Sequence, residues 1–196
     1  MVLAGRPVFA WCFERLREAG CNPIVLVVPS GEIDNARVAI GSDDGITIVE
    51  GGDTRQASVA AGLECVNTEI VLVHDGARPF IDKDLVSRLI EALTGADAVI
   101  PVVPIGETIK EVDDAVVVRT VDRTGLATAQ TPQAFVTERL KEAHARAREE
   151  SFVGIDDAEL VERYGGTVRK VRGSQTNIKL TWPEDFALAE AMMGLP

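Results

Sequence analysis

Short apolar runs rich in β-branched residues alternate with amphipathic stretches along most of the chain. The runs at 24–28, 46–49, 70–73 and 98–103 predict strands, and those at 8–18, 55–66 and 84–93 predict helices. Such alternation is typical of parallel strands joined by right-handed helical crossovers. A length of 196 residues fits one domain of this kind. We therefore predict a single α/β domain with a mostly parallel twisted sheet flanked by helices.

The stretch from residue 70 to 80 indicates where a site would lie. Four apolar residues predict a buried parallel strand, and a polar turn containing Asp75, Gly76 and Arg78 follows at once. Ligands of open α/β sheets bind beyond the carboxyl ends of such strands. We expect Asp75 and Arg78 at the mouth of a site.

Charge and composition exclude several classes of protein. A formal net charge of -11 argues against nucleic acid or an anionic membrane as the main partner, because both need clustered cations. No apolar run reaches the roughly 18 residues of a membrane span, and the first residues do not show the charged-then-apolar pattern of a leader, so neither a span nor a leader is expected. Three cysteines without close pairing predict reduced thiols. We expect a cytoplasmic protein.

Two further segments depart from simple alternation. Gly51 and Gly52 follow a strand, Asp53 or Thr54 can cap the next helix, and Ser58 lies in its first turn. These glycines either let a ligand approach the backbone or form a plain tight turn. Residues 109–120 predict a hairpin, which is marginal alone in water and is expected to pack on a second subunit.

Polar groups after the strands combine carboxylates, hydroxyls and cations. A carboxylate beside cations suits a Mg²⁺-bound polyphosphate, because Mg²⁺ prefers oxygen ligands and keeps phosphate oxygens as partners. Neither histidine has a neighbour at metal-ligand spacing, so we interpret His74 as a packing residue and His144 as solvated. The groups in question are Asp53, Ser58, Asp75, Arg78, Thr108, Lys110, Arg123, Thr131 and Lys179.

Five motifs together resemble those of the 2-C-methyl-D-erythritol 4-phosphate cytidylyltransferases. They are GGDTRQASV at 51–59, VHDGARP at 73–79, TVDR at 120–123, QTPQ at 130–133 and NIK at 177–179. The resemblance implies a Rossmann-like nucleotidyltransferase fold, a protruding β-arm at 107–122, a homodimer and a divalent cation, usually Mg²⁺. It also implies transfer of the cytidylyl group from CTP to methylerythritol phosphate with release of pyrophosphate, in non-mevalonate isoprenoid synthesis.

The resemblance also implies residue roles. The residues expected to contact the nucleotide are Gly51, Gly52, Asp53, Ser58, Asp75 and Gly76. Asp75 is also expected to bind the metal. The residues expected to contact methylerythritol phosphate are Arg78, Thr131 and Lys179. Thr108 and Arg123 are expected to reach this substrate from the arm of the partner subunit. Lys179, Arg123 and Asp75 are the expected catalytic residues.

Two departures from the family pattern stand out. The family opens with a strand and a glycine-rich loop whose Arg and Lys hold the triphosphate, and the chain starts just downstream of both. The single domain of residues 1–196 is therefore expected to lack that strand and loop. In addition, Ile155 stands where a substrate-binding Thr is expected.

Three alternatives remain open at this point. The first is a cytidylyltransferase for another polyol phosphate, such as ribitol 5-phosphate. The second is a non-catalytic homodimer that binds a nucleotide or a protein. The third is a phosphoacceptor domain in which Asp75 carries the phosphoryl group.

Overall fold

The computed structural model describes residues 1–41 and 45–194. Its strands are β1 Val2–Leu3, β2 Arg6–Pro7, β3 Ile24–Val28, β4 Ile46–Glu50, β5 Ile70–Val73, β6 Ala98–Pro104, β7 Ile109–Asp113, β8 Val116–Val121, β9 Ala127–Ala129, β10 Gln133–Val136 and β11 Val168–Arg172. Its helices are α1 Val8–Glu18, α2 Ile33–Ile40, α3 Arg55–Leu63, α4 Lys83–Ala92, α5 Thr137–Glu149, α6 Asp157–Arg163 and α7 Pro183–Met192.

Two groups of strands form the centre of the fold. Strands β3 and β4 are a parallel pair, and a five-stranded sheet runs β11, β6, β10, β5, with β9 added to β6. Strand β10 is antiparallel to both of its neighbours, so β5 and β6 run in the same direction, and β11 is parallel to β6. The predicted α/β class is confirmed, and β9 and β10 are the reversed strands of the five-stranded sheet.

Strand β5 has the predicted bounds but not all of the predicted surroundings. Its hydrogen-bonded neighbour is β10, which is antiparallel, so the expectation of a parallel ladder at this strand was wrong. All four of its residues are only partly buried. An apolar run reveals neither the direction of a neighbouring strand nor whether both edges are covered.

Helices cover both faces of the five-stranded sheet. On β6 and β10, Val99 and Ala134 pack against α4, whereas the adjacent Ala98 and Phe135 pack against α5 and α6. Successive strand residues point to opposite faces, so these helices lie on opposite sides of the sheet. Ile90, predicted on the apolar side of α4, is 43% exposed because it borders a cavity rather than the core.

That cavity lies along the edges of β3 and β5 and has a volume of about 1030 Å³. Every residue of Ile24–Val28 and of Ile70–Val73 lines it. Because consecutive strand residues point to opposite faces, a cavity lined by all of them lies at a strand edge. Within the described residues, β3 pairs only with β4 and β5 only with β10. The cavity therefore separates two unpaired strand edges.

Strands β7 and β8 form the predicted hairpin. Lys110 Nζ donates to Thr120 Oγ1 at 2.6 Å, and Arg119 Nε lies 2.5 Å from Glu111 Oε2 across it. Four valines of the hairpin, Val112, Val116, Val117 and Val118, are 55–65% exposed. Packing on a second subunit stays a prediction.

Residues 1–41 and 45–194 contain no helix with the length and apolar character required to cross a bilayer.

Candidate active site

A hydrogen-bonded turn follows β5. The Asp75 backbone N–H donates to Thr131 Oγ1 at 2.9 Å, and Thr131 Oγ1 lies 3.1 Å from His74 Nδ1. On the other side of the ring, His74 Nε2 lies 3.0 Å from the Arg78 carbonyl oxygen. Since a carbonyl oxygen only accepts, His74 Nε2 carries the proton.

His74 is a neutral structural residue of this turn. Burial lowers the pKa of His74 to about 4, and hydrogen bonding to the Arg78 carbonyl offsets only part of that effect. A neutral ring protonated at Nε2 leaves Nδ1 as an acceptor, so the Thr131 hydroxyl donates to Nδ1. Thr131 thereby ties the Asp75 backbone to the imidazole. The interpretation of His74 as a packing residue is consistent with this geometry.

Three cations surround the Asp75 carboxylate. Lys179 Nζ lies 3.1 Å from Asp75 Oδ2, and Arg78 Nε lies 3.5 Å from the same oxygen. Arg55 Nε lies 3.3 Å from the other oxygen, Oδ1. Burial alone raises the pKa of Asp75, but Lys179 and Arg55 more than offset it, so the pKa lies below its usual value. The carboxylate is therefore ionised at neutral pH.

The segment after β11 delivers Lys179 to this position. Asn177, fully buried, donates from Nδ2 to the Thr131 carbonyl oxygen at 2.8 Å. The Asn177 carbonyl oxygen accepts from Arg78 Nη1, also at 2.8 Å, and Leu180 N–H donates to the Ala77 carbonyl oxygen. These bonds join the segment to the β5 turn on both sides of Lys179, whose side chain is 47% exposed.

The two glycines after β4 pack tightly on the first turn of α3. A Cβ at Gly51 would lie 2.5 Å from Ser58 Oγ, and one at Gly52 would lie 2.6 Å from Ala57 Cβ. Ser58 Oγ donates to the Gly52 carbonyl oxygen at 3.3 Å. Thr54, rather than Asp53, caps the helix by accepting from Ala57 N–H. The turn thus needs glycine for its own packing, whatever ligand it meets.

Thr108 and Arg123 lie at the base of the hairpin. The Arg123 guanidinium donates to the carbonyl oxygens of Ile105, Gly106 and Glu107, and both side chains are exposed. These contacts hold Arg123 to its own arm. No contact in the described structure brings either residue to the Asp75 cluster of the same chain.

The structure adds three residues to which the sequence interpretation gave no role. Arg55 Nη1 lies 2.7 Å from Asp157 Oδ2, and His144 Nε2 lies 2.9 Å from Asp157 Oδ1. The expectation that His144 is solvated was wrong, because it is 6% exposed and faces Asp157. The position of Arg55 within the GGDTR motif was the one sequence signal that could have indicated its role. For His144 the local sequence gave no such signal, because a histidine in a polar helix is usually exposed.

The side chains near Asp75 could bind a metal cation only if a bound ligand supplied further oxygen atoms. Across residues 1–41 and 45–194, no group of three or more His, Cys, Asp and Glu side chains could hold a metal. A single ionised carboxylate is nevertheless compatible with Mg²⁺, which is commonly bound by one or two carboxylates plus substrate phosphates. Asp75 is the residue in this cluster that could contribute to such a site.

Comparisons with known proteins agree on one family. The family model for 2-C-methyl-D-erythritol 4-phosphate cytidylyltransferase matches residues 1–195. The enzyme of that name from Bacillus licheniformis is 43% identical over 88% of this chain and 77% of its own length. The one from Syntrophus aciditrophicus is 42% identical over 98% and 86%.

Solved structures give the same result. The crystal structure of 2-C-methyl-D-erythritol 4-phosphate cytidylyltransferase from Thermus thermophilus superposes with a TM-score of 0.88 and 37% identity, covering 99% of this chain and 92% of that one. The 4-diphosphocytidyl-2C-methyl-D-erythritol synthase of Anaerococcus prevotii gives 0.89 at 30% identity, with coverage of 99% and 92%. The predicted nucleotidyltransferase fold is confirmed, and the chain belongs to the 2-C-methyl-D-erythritol 4-phosphate cytidylyltransferase family.

Proposed function

We propose that the protein transfers the cytidylyl group of CTP to 2-C-methyl-D-erythritol 4-phosphate. The products are 4-diphosphocytidyl-2-C-methyl-D-erythritol and pyrophosphate. Family membership supports this reaction, and the observation that carries it to the site is the convergence of Lys179 and Arg78 on Oδ2 of Asp75. One carboxylate among cations at a strand end is suited to phosphoryl chemistry, in which charge must be neutralised.

The chemistry requires no side-chain nucleophile. An oxygen of the methylerythritol phosphate attacks the α-phosphorus of CTP, a new P–O bond forms, and the bond to the bridging oxygen breaks to release pyrophosphate. Phosphate oxygens are already anionic near neutral pH, so the protein contributes positioning and charge stabilisation. We assign charge stabilisation to Lys179 and Arg123. A Mg²⁺ ion bound to CTP phosphates and Asp75 would supply further neutralisation.

We assign the remaining contacts by position. The Gly51–Gly52 turn with Asp53 and Ser58 takes the cytosine and ribose, and Asp75 with Gly76 takes the nucleotide beside the metal. Arg78 and Thr131 join Lys179 around the methylerythritol phosphate. The Thr131 hydroxyl donates a hydrogen bond to His74 Nδ1 and accepts one from the Asp75 N–H, so its second lone pair can accept from a substrate hydroxyl.

We further propose a homodimer in which the arm completes the partner's site. Exposure of four valines on the β7–β8 hairpin and the position of Arg123 at its base support this arrangement. Thr108 and Arg123 then reach the methylerythritol phosphate of the neighbouring subunit. Since CTP is an intracellular metabolite, we place the reaction in the cytoplasm.

A further strand, we propose, occupies the cavity between β3 and β5 in the active enzyme. Two unpaired strand edges on either side of an apolar space of about 1030 Å³ support this proposal. Arg55 and Asp75 also border the cavity. A loop after such a strand would therefore reach the Asp75 cluster, where a triphosphate needs cations.

Pyrophosphate release tests the reaction. The enzyme, with any residues that its gene encodes ahead of Met1, is incubated with CTP, Mg²⁺ and either methylerythritol phosphate or ribitol 5-phosphate. We expect turnover with the former. Ile155, 91% exposed where the family places a threonine, makes ribitol 5-phosphate the informative alternative. A clear preference for it would reject the proposed substrate.

A further inference from the structure

We propose that Arg55 is a positioning residue that holds one oxygen of Asp75, and that the buried Asp157–His144 pair fixes Arg55 for this task. The other oxygen of Asp75, which faces Lys179 and Arg78, is thereby left for these cations and for the substrate. This inference rests on the proposed function of the Asp75 cluster, and it concerns residues to which that function assigns no role.

The pair that holds Arg55 is deeply buried. Asp157 is 1% exposed and His144 is 6% exposed. A carboxylate only accepts hydrogen bonds, so His144 Nε2 carries the proton of the 2.9 Å bond to Asp157 Oδ1. A buried carboxylate is stable only when it is paired and hydrogen-bonded. Asp157 obtains its second partner from Arg55 Nη1, 2.7 Å from Oδ2.

Arg55 uses two different nitrogens for its two carboxylates. While Nη1 contacts Asp157, Nε lies 3.3 Å from Asp75 Oδ1. The guanidinium is planar and presents its donors in a fixed fork, so fixing one nitrogen also orients the other. A lysine at this position would offer a single ammonium on a flexible stem. The fork therefore transmits the position of buried Asp157 to Asp75.

The two oxygens of Asp75 consequently have unlike partners. Oδ1 faces Arg55, which Asp157 anchors at its far side. Oδ2 faces Lys179 Nζ at 3.1 Å and Arg78 Nε at 3.5 Å. The side chain of Lys179 is 47% exposed, and Asp75 is its one ion-pair partner among the described residues. Lys179 can therefore move to an incoming phosphate while Arg55 keeps the carboxylate in place. Arg55 therefore fixes the orientation of the Asp75 carboxylate, and Oδ2 can bind a cation that arrives with the nucleotide.

The test compares Arg55→Lys and Asp157→Asn with the wild-type enzyme by two readouts. Calorimetry gives the Kd of CTP in the presence of Mg²⁺, and crystal structures without ligand give the orientation of Asp75. We expect about a tenfold or larger rise in Kd in both variants, as for other residues that orient a ligand-binding side chain, and a turned Asp75 carboxylate. Arg139→Lys is the matched control, because Arg139 pairs with Asp97 through the same Nε atom, 3.2 Å from Oδ1, away from the cluster.

The outcomes separate this inference from the proposed function. Melting temperatures are recorded for every variant, and binding is measured well below them, so a purely structural loss would lower Tm and leave Kd unchanged. Kd values within twofold of wild type for both variants, or an unmoved Asp75 in their structures, would overturn the positioning role. If the wild-type enzyme fails to bind CTP, the proposed function fails, and the crystal structures still decide the role of Arg55.

Discussion

The ammonium of Lys179 lies 3.1 Å from Oδ2 of Asp75, and this contact joins the segment after β11 to the end of β5. Asn177 and Leu180 hold the segment in place through hydrogen bonds to residues 131 and 77. The ion pair therefore rests on a rigid frame while its cation remains half exposed. That combination is suitable for a lysine that exchanges a carboxylate for a phosphate.

Lys179→Ala is expected to lower kcat by at least about 10²-fold, roughly the effect of losing one preorganised charge contact in a transition state. Steady-state pyrophosphate release with CTP and methylerythritol phosphate measures it. Lys170→Ala, at an exposed position on β11, is the control and should retain activity. Near-normal turnover in Lys179→Ala would remove this residue from the mechanism.

Arg123→Ala is expected to cause a similar loss, and mixing tests whether Arg123 acts across the dimer. A dimer of one Lys179→Ala and one Arg123→Ala chain has one intact site only if the arm serves the partner. Random mixing should then restore about a quarter of wild-type activity, because half of the dimers are mixed and each has one good site of two. No recovery after subunit exchange would indicate that Arg123 does not act in trans.

Gly51→Ala is expected to destabilise the protein by about 1–3 kcal/mol, a usual cost of overpacking. The new Cβ would lie 2.5 Å from Ser58 Oγ and 3.1 Å from Val27 Cγ1. Gly106→Ala is the control, since its Cβ would meet no atom within 4 Å. Urea denaturation gives both free energies of unfolding; equal values for the two variants would contradict the packing described for the turn.

Stability should decline in mildly acidic solution because of His74. Its folded pKa of about 4 lies below the ordinary 6.5, so the unfolded chain takes up a proton before the folded one does. The free energy of unfolding should therefore fall between about pH 6.5 and pH 4, by on the order of 3 kcal/mol. The pKa of Asp75 lies below its usual range, so protonation of this carboxylate lowers the free energy of unfolding further at lower pH. In His74→Gln the decline over this window should shrink; an unchanged slope would contradict a neutral buried imidazole.

The local sequence pattern was sufficient to predict much of the fold and part of the candidate site. Apolar runs and caps predicted the main strands, helices and the hairpin, and the motifs around Asp75, Arg78 and Lys179 identified residues that do converge. The reversed direction of β10 was not predictable, because strand pairing depends on which segments meet in space. The same holds for His144, whose burial depends on Asp157, and for Arg55, whose role appears only when both of its carboxylates are seen together.

Pyrophosphate release from CTP, in the presence of Mg²⁺ and either methylerythritol phosphate or ribitol 5-phosphate, tests the proposed cytidylyl transfer itself. We predict turnover that needs both CTP and methylerythritol phosphate and that Lys179→Ala lowers by at least about 10²-fold. Absence of CTP-dependent turnover with methylerythritol phosphate, in an enzyme carrying every residue its gene encodes, would contradict it.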